Sequence, residues 1–340
     1  MNDLTIVDIA ILAGVSASTV SRVLNDHPDV SAKTSAKIRD IIQAEGYVPN
    51  NSARNLKRES MQAVAVIVKG FPNPIFTAML GIIQQELEYN KYTMLMAQVD
   101  TNQDEVTAAI SLCKEKKPQG LIFMGGNFRH SRDRLAMLDA PFVMLTLTMH
   151  DSVDRTSFSS VTVDDYAAGY NLARMIVANG HKRVAAIGSS ADDISVSRLR
   201  IDGFRQALRD QGILDRSQQI VYAGAFSYRA GYDAARALLT KTPFTCLFCI
   251  SDILALGAIR ALHNAGLSVP DDVSTIGFDG IEECRYAIPS LATMKQPADR
   301  MAHESVRILL NHIRGGAAHC HLLFDAVFSQ GESFSPRAAD

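Results

Sequence analysis

Thr5-Ile-Val-Asp-Ile-Ala-Ile-Leu-Ala-Gly-Val-Ser-Ala-Ser-Thr-Val-Ser-Arg-Val-Leu-Asn25 is the stretch on which the reading of this chain turns. Thr5 with Asp8 three residues on has the spacing of a capping box, and Ile6, Ile9 and Ala10 follow at helical intervals. Gly14 breaks that pattern, and Ser16 is placed to cap a second helix carrying Val20, Val23 and Leu24. Two short helices joined by a tight glycine-containing turn make a helix-turn-helix unit, whose second helix enters the DNA major groove by its first residues. Small Ala17 and Ser18 permit that close approach, and Arg22 offers a two-pronged donor for a guanine edge. Thr19, Ser21 and Asn25 suit phosphate contacts, and Thr5 and Ser16 complete the expected DNA-contact set. The competing reading is a helical hairpin that merely packs on the rest of the chain, and the generic pattern alone does not separate the two.

Outward from this stretch, Ser31 caps a third helix with Ile38, Ile41 and Ile42 turned inward, ending at Gly46. Residues 1–47 therefore read as an all-α head. Pro49-Asn50 opens a polar linker, residues 48–60, whose part from 51 to 60 has too little apolar surface to fold alone. From Gln62 the rhythm changes. Strand-length apolar runs at 63–68, 92–97, 120–124, 142–145, 160–163, 184–187, 220–222, 246–250, 273–277 and 291–294 alternate with helical patterns. Those helices include 74–90, 166–179, 196–211, 228–240 and 253–265. Such alternation means parallel sheets covered by helices on both faces, and some ten strands suit two doubly wound sheets better than one. Residues 61–340 thus read as a two-lobed α/β domain. The chain is expected to cross between lobes near 160 and 290, with a further crossing near 325. A ligand would sit in the cleft between the lobes, beyond the carboxyl ends of the strands.

Composition bounds this picture without naming a partner. The 340 residues, 47% hydrophobic and 21% charged, give two or three globular domains with ample core. A net charge of −2 gives no hint of nucleic acid, and in residues 1–60 cations and anions balance. A DNA-binding face must come from where the cations point. Five scattered cysteines fit a reducing compartment rather than a disulfide framework. With no basic start followed by an apolar run, the expected location is the cytoplasm, with no membrane partner.

The wording of the opening stretch is more specific than its pattern. It resembles the start of the LacI/GalR family of bacterial repressors, and the likeness continues through Val30-Ser-Ala-Lys-Thr34 and Gly46-Tyr-Val-Pro-Asn50. It extends through Ala53-Arg-Asn-Leu-Lys57, Asn73-Pro-Ile-Phe76, Gly180-His-Lys-Arg-Val184, Arg200-Ile-Asp-Gly-Phe204 and Val269-Pro-Asp-Asp-Val-Ser-Thr-Ile-Gly-Phe-Asp279, so it spans essentially the whole chain. The resemblance implies a periplasmic-binding-protein-like sensor and a homodimer on a near-palindromic operator. It further implies a hinge helix in which Leu56 wedges into the minor groove while Ala53 lies on its floor and Arg54 and Lys57 hold phosphates. That helix is expected to form only on DNA.

For the sensor the resemblance implies a small effector, most often a sugar or its derivative and sometimes a purine. Arg200 and Asp279 are the implied polar contacts, Phe76 and Phe226 the aromatic plates, Ser251 a lining hydroxyl, and Gln296 a further candidate. Ser251-Asp252 replaces the family's usual Asn-Asp, and Ile194 and Val196 stand where polar residues are common, so this pocket is less polar. An Arg and an Asp facing one cleft also pair structurally in many proteins, an alternative open at this point.

Other constellations are set aside. Cys246 and Cys249 lie three apart in a strand and so point to opposite faces. His319-Cys320-His321 puts two imidazoles on one strand face without a third ligand. No dinucleotide or phosphate loop and no nucleophile elbow is present, so neither an enzyme nor a cofactor or metal is expected. A transporter's solute-binding protein fits the sensor alone but not the head. The tail beyond Arg314 has no apolar heptad, so no tetramerising coiled coil is expected.

Overall fold

The computed structural model describes residues 5–24, 27, 29–45, 62–70, 73–100, 103–126, 132–147, 155–191, 195–213, 218–241, 243–315 and 318–337. The chain divides into two compact units, Met1–Met61 and Gln62–Asp340.

The first unit is built from α1 (Ile6–Ala13), α2 (Ala17–Leu24) and α3 (Ala32–Ala44). Thr5 closes a capping box on α1 in which its side chain accepts from Asp8 N and Asp8 accepts from Thr5 N at 2.8 Å. Gly14 ends α1 in the left-handed region, φ 68°, and sends its N–H back to Ala10 and Ile11. That conformation costs glycine nothing and turns the chain through 103° into α2. Ser16 Oγ then accepts from Thr19 N at 3.2 Å, and Ser31 Oγ accepts from Thr34 N at 3.3 Å to start α3. Ile9, Ala10, Ala13, Val20, Val23 and Ile38 form the core, and Lys37 Nζ donates to Ala13 O at 2.9 Å over the end of α1. Ile41 and Ile42 are half-buried at its margin.

The second unit opens with β1 (Ala63–Lys69), α4 (Pro74–Tyr89), β2 (Thr93–Val99), α5 (Glu105–Lys116), β3 (Gly120–Met124), α6 (Arg132–Leu135), β4 (Phe142–Leu145) and β5 (Ser159–Val163). It continues with α7 (Asp165–Ala178), β6 (Val184–Gly188), α8 (Val196–Asp210), β7 (Gln218–Tyr222), α9 (Tyr228–Leu239) and β8 (Cys246–Cys249). Then come α10 (Asp252–Asn264), β9 (Ser274–Asp279), α11 (Glu283–Tyr286), β10 (Ala292–Lys295), α12 (Ala298–Ile313), β11 (His321–Phe324) and β12 (Val327–Ser329).

Two six-stranded sheets result, ordered β11-β5-β4-β3-β1-β2 and β12-β10-β9-β8-β6-β7. Each contains the doubly wound order in which the first strand lies between the second and third. In the first lobe Val66 sits beside Met96 on one side and Ile122 on the other. Central strands such as β1, β3 and β6 are buried on both faces, which explains their unbroken apolar runs. The chain leaves the first lobe after Val163, returns with α12, and crosses again between Phe324 and Val327.

β12 pairs antiparallel with β10, so the second sheet is parallel except at this edge. The strand β11 starts at His321, and register places His321 beside Ser160. His319 and His321 reach Ser159 and Ser160, neighbours on opposite faces of β5, at 3.3 and 2.8 Å. The two imidazoles therefore do not share a face, contrary to the sequence expectation. Among the described residues no cluster of His, Cys, Asp and Glu is arranged to hold a metal.

Helix pairs in the second lobe touch backbone to backbone through glycines. A methyl group added at Gly169 on α7 would collide with the Arg200 carbonyl of α8, and one at Gly203 with the Tyr166 carbonyl. Gly169 thereby lets α8 carry Arg200 close to the start of α7. We expect Gly169→Ala to force the helices apart and to lower stability by about 1–3 kcal/mol in urea unfolding. An unchanged midpoint would refute this packing.

Candidate functional site

The carboxyl ends of strands from both lobes bring together a buried polar cluster. Asp279 ends β9 and Gln296 follows β10, and Gln296 grips Asp279 twice: Nε2 donates to Oδ1 at 2.7 Å and the backbone N–H to the Asp279 carbonyl at 3.0 Å. Arg200, on the first turns of α8, donates Nε to Asp165 Oδ1 at 2.7 Å and Nη1 to the Ile250 carbonyl at 2.7 Å. Its Nη1 also lies 3.4 Å from Asp279 Oδ1, and its guanidinium carbon sits 3.6 Å from the centre of the Phe278 ring. Arg200 and Asp279 do pair, then, and neither is more than 6% exposed.

Asp279 has φ 118°, a conformation that non-glycine residues rarely adopt. Asp252, at the start of α10, holds the next turn in place by accepting from Gly280 N at 2.6 Å and Ile281 N at 2.9 Å. Its other oxygen accepts from Thr293 Oγ1 at 2.6 Å. Thr146, just past β4 in the first lobe, is also strained at φ 63°, and its Oγ1 accepts from Gly125 N at 3.3 Å. Each lobe thus places one strained polar residue at a strand end, the kind of position where strain concentrates at functional sites.

Three carboxyls, Asp165, Asp252 and Asp279, share one buried cation. Burial pushes Asp165 up to about 6 despite the facing Arg200, and burial together with the Asp279 charge pushes Asp252 up to about 7. Burial raises Asp279 as well, opposed by Arg200. Burial works against the Arg200 charge, yet Asp165 and Asp279 hold it above its ordinary value. Groups whose folded pKa lies above the unfolded 3.8 stabilise the fold fully below about pH 4, and this contribution is lost as pH rises through 6 and 7. In Asp165→Asn, which keeps an acceptor for Arg200, the decline of the urea midpoint from pH 4 to 7 is expected to be shallower. An identical slope would show that Asp165 does not titrate in this window.

Ser251 is fully buried, its Oγ has no hydrogen-bond partner among the described residues, and it does not cap α10. An unpaired hydroxyl costs about 1–3 kcal/mol unless something supplies a partner. Phe76 is half-buried on α4 with its ring against Gly125. Phe226 is half-buried on the core just before the α9 cap and takes no part in the polar cluster. Val196 is half-buried at the start of α8. In the first lobe Lys69 is spent on Glu105 at 2.7 Å.

The head presents a different surface. On α2, Val20 and Val23 are buried while Ser18 and Arg22, four residues apart on one face, are exposed. Ala17, Thr19 and Ser21 are half-buried beside them, and the Ser16 hydroxyl lies 2.7 Å from that of Ser18 and 2.9 Å from that of Thr19.

Residues 5–50 match the profile of the bacterial regulatory proteins, lacI family, and residues 173–333 match a periplasmic binding protein-like domain. The chain is 38% identical over 333 residues to the HTH-type transcriptional regulator MalR of Clostridium butyricum, covering 97% of this chain and 99% of that protein. This chain belongs to the LacI family. The Lac repressor bound to ONPG superposes with a TM-score of 0.76 at 25% identity, covering 98% of this chain and 100% of that one. A LacI family regulator from Enterococcus faecium with bound ribose gives 0.72 at 25% identity, covering 81% and 100%.

As a LacI-family member the chain is a DNA-binding transcription regulator and not an enzyme. Of the site residues expected from this LacI-family sequence, Arg200, Asp279 and Gln296 share one hydrogen-bonded cluster, with Ser251 next to the Ile250 carbonyl that Arg200 grips. Asn25, Ala53, Arg54, Leu56 and Lys57 lie outside the described residues, as does Ile194. Sequence reasoning missed Asn73, Thr146, Asp165 and Asp252. Asn73 stood in a quoted motif without a role, and Asp252 followed Ser251, but nothing near Asp165 or Thr146 marked them.

Proposed function

We propose that this LacI-family regulator is a homodimeric repressor whose hold on a near-palindromic operator is set by a sugar or sugar derivative in the cleft between the lobes. The observation that carries the reading is the buried cluster at the facing strand ends. It offers carboxylate and carboxamide groups suited to hydroxyls, and an unpaired Ser251 hydroxyl. Asp279 and Arg200 would fix hydroxyl groups, Gln296 and Ser251 would line the cleft, and Phe76 and Phe226 would lie against an apolar sugar face. The bound ribose and ONPG of the two structural neighbours support this class of ligand.

In the head, Ala17, Ser18 and Arg22 would read base edges. Thr5, Ser16, Thr19, Ser21 and Asn25 would hold the backbone, and residues 48–60 would form the hinge through which Leu56 kinks the site. Dimerisation is supported by large apolar side chains left in solvent on both lobes, Tyr89 and Met96 on the first and Tyr286 and Ile288 on the second, the last 95% exposed. Such a protein works in the cytoplasm.

A thermal-shift panel of sugars, sugar phosphates and purines tests the ligand class. A sugar is expected to raise the unfolding midpoint, and Asp279→Ala to abolish that shift. Stabilisation by purines alone would replace the carbohydrate reading.

A further inference from the structure

The strand β1 receives the chain that comes from the head, and its neighbours β2 and β3 close on its first residues. Thr93 N donates to the Gln62 carbonyl and Gln119 N to the Ala63 carbonyl, both at 2.8 Å. The helices leading to these two strands, α4 and α5, each end on a lysine in the left-handed region, Lys91 at φ 68° and Lys117 at φ 47°. Lys91 N donates to the Glu88 carbonyl at 3.0 Å, Tyr92 N to that of Leu87 at 2.8 Å, and Lys117 N to that of Cys113 at 3.0 Å. Such bonds close a helix on a residue that is most often glycine, which takes this conformation without strain. Glycine does stand there after α1, α7, α8, α10 and α12, at Gly14, Gly180, Gly212, Gly266 and Gly315. Among the described helix ends, left-handed closure by another residue occurs only at the two that flank the entry of β1.

The strain comes with charge. Lys91 and Lys117 are both exposed, and neither joins a salt bridge among the described residues. Arg314 donates to Asn90 Oδ1 at 3.0 Å, which sets a third exposed cation beside Lys91, and exposed Arg155 precedes β5 at the same end of the parallel sheet. In the described connections leading into strands of this lobe, these four cations face one carboxylate, Asp139. The last turns of α4 and α5 do not reverse the excess, because Glu86 pairs with His303 at 2.9 Å, Glu115 with Lys116 at 2.8 Å, and Lys114 balances Glu88. The whole chain carries a net charge of −2, so this local surplus is a matter of placement.

We propose that this end of the first lobe is a second DNA-contact surface, on which Lys91 and Lys117 hold phosphates of the duplex seated on the head. The head is tied to Gln62 through residues 48–60, a tether of about 45 Å at full extension, so a duplex on the head stays at high effective concentration near these lysines. Phosphate is recognised by charge without regard to sequence, which suits side chains on exposed turns. Retained backbone strain at both positions is explained by what the side chains do there. The inference needs the DNA binding of the family and neither the operator symmetry nor the effector proposed above.

Binding of the full-length chain to a random-sequence DNA duplex across a salt series tests it, with the double variants Lys91→Gly/Lys117→Gly and Lys91→Arg/Lys117→Arg. Glycine relaxes both turns, so the urea midpoint of the glycine variant is expected at or above that of the wild type. Each phosphate contact adds about 0.9 to the slope of log affinity against log salt. The glycine variant should therefore lose about 2 from the slope for each chain bound, and its affinity at 0.1 M salt should fall roughly sixtyfold, or roughly tenfold if one lysine alone makes contact. The arginine variant should keep the wild-type slope. A wild-type slope in the glycine variant overturns the surface, as does an equal loss in the arginine variant, which would make the turn itself responsible. Absence of salt-dependent binding in the wild type overturns it as well. A shallower slope on random duplex with no operator preference would sustain the surface and remove only the operator reading.

Discussion

Arg200→Ala is expected to lower the stability of the two-lobed unit by roughly 3–5 kcal/mol in urea unfolding, the scale on which a buried charge left without its partner destabilises a fold. The arginine is the only cation bonded to Asp165 among the described contacts, and it bonds the Ile250 carbonyl and stacks on Phe278 as well. Its removal leaves buried carboxyls that must take up protons or water. The loss should therefore be smaller at pH 5 than at pH 8, because protonation of Asp165 and Asp252 substitutes for the missing charge. Combining Arg200→Met with Asp165→Leu removes both partners at similar volume, and this double variant should be more stable than the sum of the two single losses implies. A cost under about 1 kcal/mol for Arg200→Ala would mean that the cluster is hydrated and not the buried network described above.

The second large effect belongs to the head. Arg22→Ala should weaken binding to the operator while leaving binding to scrambled duplex nearly as it was. A two-pronged contact to guanine contributes about 1–3 kcal/mol per head, so a dimer losing two should bind about 30-fold to 20,000-fold less tightly. Substitution of a phosphate-contacting residue should instead weaken both duplexes together and reduce the salt dependence. The fold of the head predicts that Arg22 is replaceable without unfolding, because the core beneath it is Val20, Val23, Ile9 and Ile38, and Arg22 is exposed. Equal losses on operator and scrambled DNA would assign Arg22 to the backbone.

How much of this was legible beforehand follows from how local each signal is. The head was readable because Thr5–Asp8, Gly14, Ser16 and Ser31 act within three or four residues of themselves, and each cap forms as expected. The central strands among β1 to β10 were readable because strands buried on both faces must be apolar throughout, while the edge strands β2 and β7 showed only short apolar runs. Only their ends moved by a residue or two, as at β7, which begins at Gln218. The strands β11 and β12 were not. They have four and three residues, sit at sheet edges, and carry exposed apolar side chains such as Leu323 and Val327. Their partners lie far back in the sequence, so neither periodicity nor composition marks them.

The site divides in the same way. Arg200 and Asp279 were reachable because each stands near the end of an element in a recognisable string, and Gln296 because it directly follows a strand. Asp165 acquires its meaning only from Arg200, 35 residues on, and Asn73 only from Asp279, 206 residues on. Nothing in the neighbourhood of either residue encodes that pairing; the fold creates it. The net charge of −2 was uninformative for a related reason: Arg22 is distinguished by its position on one exposed face of α2, and a total does not record position.

The most direct test of the account is a linked titration. Operator affinity is measured by fluorescence anisotropy at fixed salt, across a concentration series of the sugar that most raises the unfolding midpoint. The account predicts that the apparent dissociation constant moves and then saturates, that the sugar's own affinity changes by the same factor when operator is bound, and that Asp279→Ala removes both effects. An operator affinity that stays constant while the sugar saturates its site would contradict it.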